Sequence, residues 1–392
     1  MVHGSLPLRT MCRGRRFQRQ EGTCHRAIRG RNINSLLESL LSVCEEYGAS
    51  DIHLAADVAP RFRMKGMLVE KGGYRPFDMA TVDEIAMSLG LLTLPLGCPD
   101  GTERIRRTLM AEGSIDGALT APSGMRYRFN VFRDSGRHAV ALRRLDSRFR
   151  SFEELGIPVD LQSVCDLTDG LFIVTGPTGS GKSTTLATII DRINHTHNAH
   201  IITIEDPVEF VHRTDRCVVN QRQIGRDAVD FNSALVASLR QDPDVILVGE
   251  IRDLDTIRTA LRAAETGHLV FATLHAGDCA GAVERMVGVF PADEQPSIRQ
   301  QLALVLRGIF AQHLVRRLDG EGRVPVCEYM VNNPAVSNFI VTGRSQQLYS
   351  AMETGGPYGM RTLDQSLCAL LEEGLIDESV ARALSKNPLQ FQ

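Results

Sequence analysis

The sequence has few of the features that mark secreted, zinc-stabilised or membrane-spanning proteins. Its nine cysteines are spread singly from Cys12 to Cys368 and never form a C-x-x-C pair, which argues against a zinc ribbon and against a disulfide framework. No apolar run approaches the roughly 18 residues that a membrane-spanning helix needs. The N-terminus has charges but lacks the apolar core of a secretory signal. We therefore expect reduced thiols and a protein of the cytosol.

A strong net charge of either sign is also missing. The formal net charge is −3, so there is no chain-wide positive field to hold nucleic acid or anionic lipid. The exception is residues 1–31, a stretch that is rich in arginine and has little periodic apolar content. This composition predicts a disordered leader, with an RNA-binding or membrane-binding arm as the alternative.

The rest of the chain is long enough for two domains. In residues 32–150, a helically spaced apolar segment at 36–44 precedes short alternating segments that glycine and proline interrupt. This pattern predicts a mixed α/β domain with an antiparallel sheet. In residues 151–290, continuous apolar runs alternate with helical segments, which is typical of buried parallel strands in an α/β fold. Residues 291–392 are predicted to be mostly helical, with one short strand near 324–330.

One motif in the second domain is suited to binding phosphate. Residues 176–183 match the pattern G-x-x-x-x-G-K-[ST] in full, between an apolar run and a helical segment. The glycines let the backbone approach phosphate closely, Lys182 offers a charge to the β- and γ-phosphates, and the Ser183 hydroxyl can ligate Mg²⁺. The helix that follows turns its positive end to the same anion. The predicted ATP-binding residues here are Gly176, Pro177, Thr178, Gly179, Ser180, Gly181, Lys182, Ser183 and Thr184.

Three other apolar runs lead into ionisable residues. The runs at 201–204, 245–248 and 269–274 are followed by Glu205, by Gly249 and Glu250, and by His275. Because ligands bind at the carboxyl ends of strands in open parallel sheets, these side chains are predicted to meet the phosphate-binding loop. Glu250 is predicted to hold Mg²⁺, directly or through water, and Glu205 to orient or deprotonate the attacking water. Glu209 is a further candidate at this edge, whereas Asp244 begins its strand and is predicted to be structural.

Two histidines flank the run at 269–274, but they do not predict a metal site. His268 and His275 have no third ligand at zinc spacing. His275 is instead predicted to sense the γ-phosphate or to contact a neighbouring subunit. The alternative is a strand-end histidine with satisfied hydrogen bonds.

Residues 126–131 of the first domain alternate strictly between apolar and polar side chains. Tyr127, Phe129 and Val131 belong to one face, and Arg126, Arg128 and Asn130 to the other. The segment 139–144 is the predicted partner strand, which brings Arg143 near. Aligned guanidinium groups would suit contact with a neighbour's triphosphate in the manner of an arginine finger, and the alternative is an ordinary solvent-facing strand surface.

The order of these motifs resembles that of the secretion superfamily ATPases. Residues 176–183 correspond to the Walker A motif of that family, 203–209 to its aspartate box, 244–250 to its Walker B motif and 267–275 to its histidine box. The similarity is greatest to the pilus retraction (PilT-type) branch.

The resemblance implies a PAS-like N-terminal α/β domain, then a RecA-like P-loop domain with a helical C-terminal extension. It implies ATP hydrolysis with Mg²⁺ in a homohexamer, cytoplasmic at the inner-membrane face of a pilus or secretion machine. An inner-membrane platform protein would be the partner, and membrane association would be through partners. Arg128 and Arg143 match family arginines and are implied to reach a nucleotide across a subunit contact.

One position departs from the retraction branch. Its A-I-R-N-L-I motif is replaced at residues 335–340, where Ser337 stands in place of the arginine. A conjugative-pilus or type IVB transfer ATPase of the same lineage therefore stays open.

From other classes of protein, the alternative functions are a RecA-like nucleic-acid motor, a small-molecule kinase and a nucleotide-binding assembly factor without turnover. The near-neutral charge argues against direct binding of nucleic acid.

Overall fold

The computed structural model describes residues 35–95, 98–145, 148–157 and 159–391. The arginine-rich leader predicted at residues 1–31 lies outside these residues. Two β-sheets organise the described part of the chain, and each sheet packs against its own set of buried apolar side chains.

The first sheet has six antiparallel strands, in the order β3-β2-β1-β6-β5-β4. Its helices pack on one face, where they bury the apolar side of the strands. The elements are α1 (Ser35–Glu46), β1 (Asp51–Ala55), β2 (Arg61–Met64), β3 (Met67–Glu70), α2 (Met79–Leu91), α3 (Gly101–Glu112), β4 (Ser114–Thr120), β5 (Arg126–Asp134) and β6 (Arg137–Leu145).

Strand β5 has the alternation that the sequence predicted. Tyr127, Phe129 and Val131 are at most 1% exposed and face the helices. The partner strand is β6, and the register sets Arg128 directly opposite Arg143. The polar face of β5 therefore carries its arginines on the side of the sheet that the helices leave uncovered.

The second sheet has seven strands, in the order β13-β12-β7-β11-β10-β8-β9, and all neighbours are parallel except β12 and β13. Its strands are β7 (Gly170–Thr175), β8 (His200–Glu205), β9 (Val218–Gln223), β10 (Val245–Val248), β11 (Leu269–Leu274), β12 (Leu306–Arg316) and β13 (Arg323–Val331). Its helices are α4 (Lys182–Thr196), α5 (Phe231–Ser238), α6 (Leu254–Glu265), α7 (Cys279–Gly288), α8 (Gln295–Val305), α9 (Pro334–Val341), α10 (Gln347–Glu353), α11 (Leu363–Glu372) and α12 (Glu378–Leu384).

The prediction of a mostly helical C-terminal part was wrong at residues 306–316. Leu302, Leu306 and Ile309 recur at the spacing of a helix and continue the apolar pattern of α8 into this stretch. In the structure, α8 ends at Val305 and β12 begins at the next residue, between β7 and β13. A central strand is buried on both faces, so its apolar residues form a run that periodicity cannot distinguish from a buried helix.

The mixed α/β fold class is confirmed by the two sheets and their helices. The first sheet ends at residue 145 and the second begins at residue 170, while the predicted boundaries at residues 150 and 290 stay predictions. None of the helices in the described ranges has the length and apolarity needed to cross a lipid bilayer.

Candidate active site

The loop between β7 and α4 surrounds the ammonium group of Lys182. Lys182 Nζ donates to the carbonyl oxygens of Gly176 at 2.8 Å and Pro177 at 3.0 Å, and lies 3.5 Å from His275 Nδ1. Burial lowers the pKa of Lys182, and the negative charge of Glu250 acts in the opposite direction. The lysine is therefore fixed at the inner side of the loop, with its charge directed toward the place where a phosphate would bind.

Two glycines of this loop have no room for a side chain. A Cβ on Gly176, whose φ is +142°, would lie 2.2 Å from the carbonyl oxygen of Gln312. A Cβ on Gly181, whose φ is +94°, would lie 2.9 Å from Nε2 of the same glutamine. Beneath the loop, the Ser180 hydroxyl is buried and has no hydrogen-bond partner among the described residues. The bare glycine backbone of the loop and the ammonium group of Lys182 together fit the phosphates of ATP.

A cavity of about 630 Å³ opens beside the loop. Its walls contain Lys182, Glu205, Glu250 and His275, the four side chains that the sequence predicted would meet. Of the other predicted residues, the same walls contain Thr178, Gly179, Gly181, Ser183, Thr184 and Arg128. Gly176, Pro177 and Ser180 support the loop without lining this cavity.

Glu250 follows β10 and is held by two neighbouring side chains. Its Oε2 accepts a hydrogen bond from Arg252 Nη2 at 2.6 Å, and its Oε1 lies 3.1 Å from His275 Nε2. Burial acts to raise the pKa of Glu250, but the hydrogen bonds and charges of Arg252 and His275 outweigh it, so the pKa is lowered. The carboxylate is therefore ionised at neutral pH, which suits a ligand for a divalent cation.

Glu205 is the last residue of β8 and has neutral hydrogen-bond partners. Its Oε1 accepts from Thr203 Oγ1 at 2.6 Å and from Gln221 Nε2 at 3.1 Å. Burial raises the pKa of Glu205, and the two hydrogen bonds offset only part of that effect. In the part of the chain that the structure describes, no basic side chain forms a salt bridge with this carboxylate. A partly buried carboxylate with a raised pKa suits a proton acceptor.

Arg128 lies in the cavity of its own chain. The resemblance implied contact with a nucleotide across a subunit boundary, but the uncovered face of the first sheet lies over the cleft and brings Arg128 to the wall in cis. Its Nη2 is 4.0 Å from Asp116 Oδ1. Arg143 stands opposite Arg128 in the sheet, but its Nε donates to Asp51 Oδ1 at 2.9 Å, and Arg143 is not part of the cavity wall.

Asp244, His268 and Glu209 are the other residues that the sequence singled out. Asp244 Oδ2 accepts the N–H of His200 at 2.8 Å, at the opposite end of the sheet, where a structural role was predicted. His268 Nδ1 lies 3.0 Å from the carbonyl oxygen of Ala263. Across the described residues, no three His, Cys, Asp or Glu side chains form a metal-binding group. Glu209 lines the cavity, and its role stays a prediction.

Several side chains that shape the site were missed by sequence reasoning. Arg252 follows Glu250 by two residues, but an arginine after a strand is too common to be a signal. Gln221 gives no local signal, because it reaches Glu205 only through the parallel pairing of β8 with β9. Gln312 accepts a hydrogen bond from Thr185 Oγ1 at 2.7 Å and packs under the loop. It belongs to the strand that was predicted to be helical.

Comparison with known proteins gives the family. The model of the family described as "Type II/IV secretion system protein" matches residues 29–354. The chain belongs to this family. The resemblance to secretion superfamily ATPases that the order of motifs predicted is therefore confirmed.

Relatives of this secretion-family protein match nearly the whole chain. The "Type IV pilus retractation ATPase PilT" of Pseudomonas aeruginosa is 41% identical over 355 residues, which cover 91% of this chain and 99% of that protein. The crystal structure titled "Pilus Retraction Motor PilT and Bound ADP" has a TM-score of 0.81 at 40% identity and covers 90% of this chain and 98% of that one. The Legionella pneumophila ATPase DotB has a TM-score of 0.77 at 28% identity and covers 91% and 96%.

Proposed function

We propose that this secretion-family protein is a motor ATPase that hydrolyses ATP to ADP and phosphate. The observation that carries the proposal is the position of Lys182, Glu205, Glu250 and His275 on the walls of one cavity. Similarity over 91% of the chain to a protein named as a pilus retraction ATPase supports the same reaction.

In the proposed reaction, the phosphates of ATP lie against the backbone N–H groups of the loop and the ammonium of Lys182. Glu205 accepts a proton from the attacking water while the oxygen of that water forms a bond to the γ-phosphorus. The bond from the γ-phosphorus to the bridging oxygen breaks, and its electron pair stays on ADP. Arg128 on the same wall stabilises the negative charge on the phosphoryl oxygens.

Ser183 and Glu250 are the residues that would hold Mg²⁺. Both line the cavity, and hydroxyl and carboxylate oxygens are ligands that Mg²⁺ prefers. When bound, Mg²⁺ neutralises charge on the β- and γ-phosphates. Arg252 and His275 keep the Glu250 carboxylate ionised and oriented. Because His275 also faces Lys182, it is the proposed sensor of the γ-phosphate.

We place this activity in a homohexamer that serves a pilus or secretion machine. Hydrolysis would change how closely the first sheet packs over the cleft. In a ring, that change in each subunit would become motion of the whole assembly. The proposed location is the cytoplasmic side of the inner membrane, where a platform protein is the partner that provides membrane association. The names of the relatives support pilus retraction, and Ser337 keeps a transfer or conjugation machine as the alternative.

Turnover of the purified chain tests the proposed reaction. We expect free phosphate from ATP and Mg²⁺, at a rate that changes less than about twofold when single-stranded DNA is added, because the net charge is only −3. Strong stimulation by DNA that fades as salt rises would instead indicate a nucleic-acid motor. Phosphate that appears only on an acceptor would indicate a kinase, and the absence of any hydrolysis would reject the proposal.

Mixing two inactive variants tests which chain provides Arg128 to a given site. Alone, Lys182→Asn and Arg128→Ala are each expected to lose about 10²-fold or more in turnover. Because Arg128 lies in the cavity of its own chain, no mixed ring would contain a complete site, and mixtures are expected to stay inactive. Subunit exchange is verified with two differently tagged wild-type chains. Recovery of turnover in the mixture would show that the arginine acts across a subunit contact.

A further inference from the structure

A second arginine of β5, Arg126, reaches the segment that follows Glu205. Its Nη2 donates to the carbonyl oxygen of Val208, and its Nη1 donates to Thr120 Oγ1 at 2.9 Å. Its Nε is buried without a hydrogen-bond partner, and no carboxylate forms a salt bridge with it, within the ranges that the structure describes. Keeping a half-buried guanidinium against a backbone oxygen costs free energy. This cost indicates that Arg126 has a role other than that of a surface salt bridge.

The segment at residues 206–210 is fastened from two sides. On the core side, Gln221 Nε2 donates to the carbonyl oxygen of Phe210 at 2.8 Å and to Glu205 Oε1 at 3.1 Å. On the side of the first sheet, Arg126 holds Val208, which is 6% exposed. Without Arg126, the middle of the segment would lose this hydrogen bond to the first sheet. The segment that these two attachments hold begins directly after Glu205, the last residue of β8.

Arg126 also affects the balance of charge around Glu205. The segment itself contributes the acids Asp206 and Glu209, and the loop after β10 contributes Glu250. Four basic side chains of the cavity wall contact other groups: Arg252 and His275 contact Glu250, Lys182 contacts loop carbonyls, and Arg128 lies near Asp116.

Arg126 itself stays protonated at neutral pH. Burial and the nearby Arg226 lower its pKa to about 10, whereas Glu205 and Glu209 act in the opposite direction. Its positive charge is therefore present beside two acids of the site. That charge favours the ionised form of Glu205 against the effect of burial.

We propose that Arg126 is a positioning residue through which the first sheet controls Glu205. It fixes the segment that follows this acid and places a positive charge near its carboxylate. Glu205 is then a competent proton acceptor only while the first sheet rests on the cleft. The inference rests on the proposed ATPase function, and it adds a link between closure of the cleft and the proton transfer.

The pH dependence of kcat for Arg126→Gln tests this link. Glu205 must be ionised to accept a proton, so its pKa sets the acid limb of the kcat profile. Loss of the positive charge favours the protonated acid, and the acid limb is expected to move upward by about one pH unit. On the acid limb, kcat is expected to fall about tenfold at a given pH, while KM for ATP changes less than about threefold.

Two further variants distinguish the effect of the positive charge of Arg126 from the effect of its hydrogen bonds. Arg126→Lys keeps the charge but replaces the two-pronged guanidinium by a compact ammonium, so its acid limb should stay near that of the wild type while kcat falls. Arg133→Gln, an exposed position on the same strand, should match the wild type in both respects.

An unshifted acid limb in Arg126→Gln would overturn the inference, provided that the variant melts at the wild-type temperature. If Arg126→Gln does not fold, Arg126→Lys decides the matter, because an unchanged kcat there would overturn the positioning role. A wild-type chain that does not hydrolyse ATP would contradict the proposed function instead, so the two failures are distinct.

Discussion

Replacing Lys182 by asparagine is expected to abolish measurable ATP binding and to lower turnover by about 10²–10³-fold. The ammonium lies inside the loop, bound to the carbonyl oxygens of Gly176 and Pro177, and asparagine has neither its charge nor its reach. The β- and γ-phosphates would then face backbone N–H groups without this positive charge. Affinity for a fluorescent ATP analogue and release of phosphate measure the two losses separately.

The matched control is Lys65→Asn. Lys65 is exposed in the turn between β2 and β3, with a φ of +48° that asparagine tolerates, so ATP affinity and turnover should equal those of the wild type. Binding that survives in Lys182→Asn with only turnover lost would show that the lysine acts in chemistry alone. Unchanged turnover would remove the loop from the proposed site.

The residues at the catalytic edge of the second sheet could be predicted because each of them lies next to the end of a strand in the sequence. Lys182 begins α4, directly after the loop that follows one buried strand. Glu205 ends a second strand, and Glu250 and His275 follow two others. Parallel strands end at one edge of a sheet, so the direction of the strands was enough to bring the four side chains together. The order of strands in the sheet was not needed.

The contacts that complete the site come from packing between distant segments and leave no local signal. Gln221 reaches Glu205 because the register of β8 and β9 sets it opposite Thr203. Gln312 underlies the loop because β12 is a central strand, a point on which hydrophobic spacing was misleading. Arg128 lies in its own chain's cavity because of how the first sheet packs on the second, and periodicity within β5 does not encode that packing.

Replacing Glu205 by glutamine is expected to lower turnover by about 10²–10⁴-fold while ATP still binds. Glutamine is nearly the same size, and its Oε1 can still accept the hydrogen bonds that Thr203 and Gln221 donate to the glutamate. The segment after β8 should therefore keep its position, and the ability to accept a proton is what the variant loses. Equilibrium binding of the ATP analogue and single-turnover hydrolysis measure the two properties.

Glu209→Gln makes the same chemical change four residues away on the same cavity wall. If Glu205 is the proton acceptor, Glu209→Gln should reduce turnover much less, because its carboxylate is not the one held at the end of β8. Glu265→Gln at the exposed end of α6 should have no effect. A reversed order, with Glu209→Gln the more damaging change, would assign proton transfer to Glu209. Wild-type turnover in Glu205→Gln would contradict the proposed mechanism, because Glu205 could then be no more than a structural end to its strand.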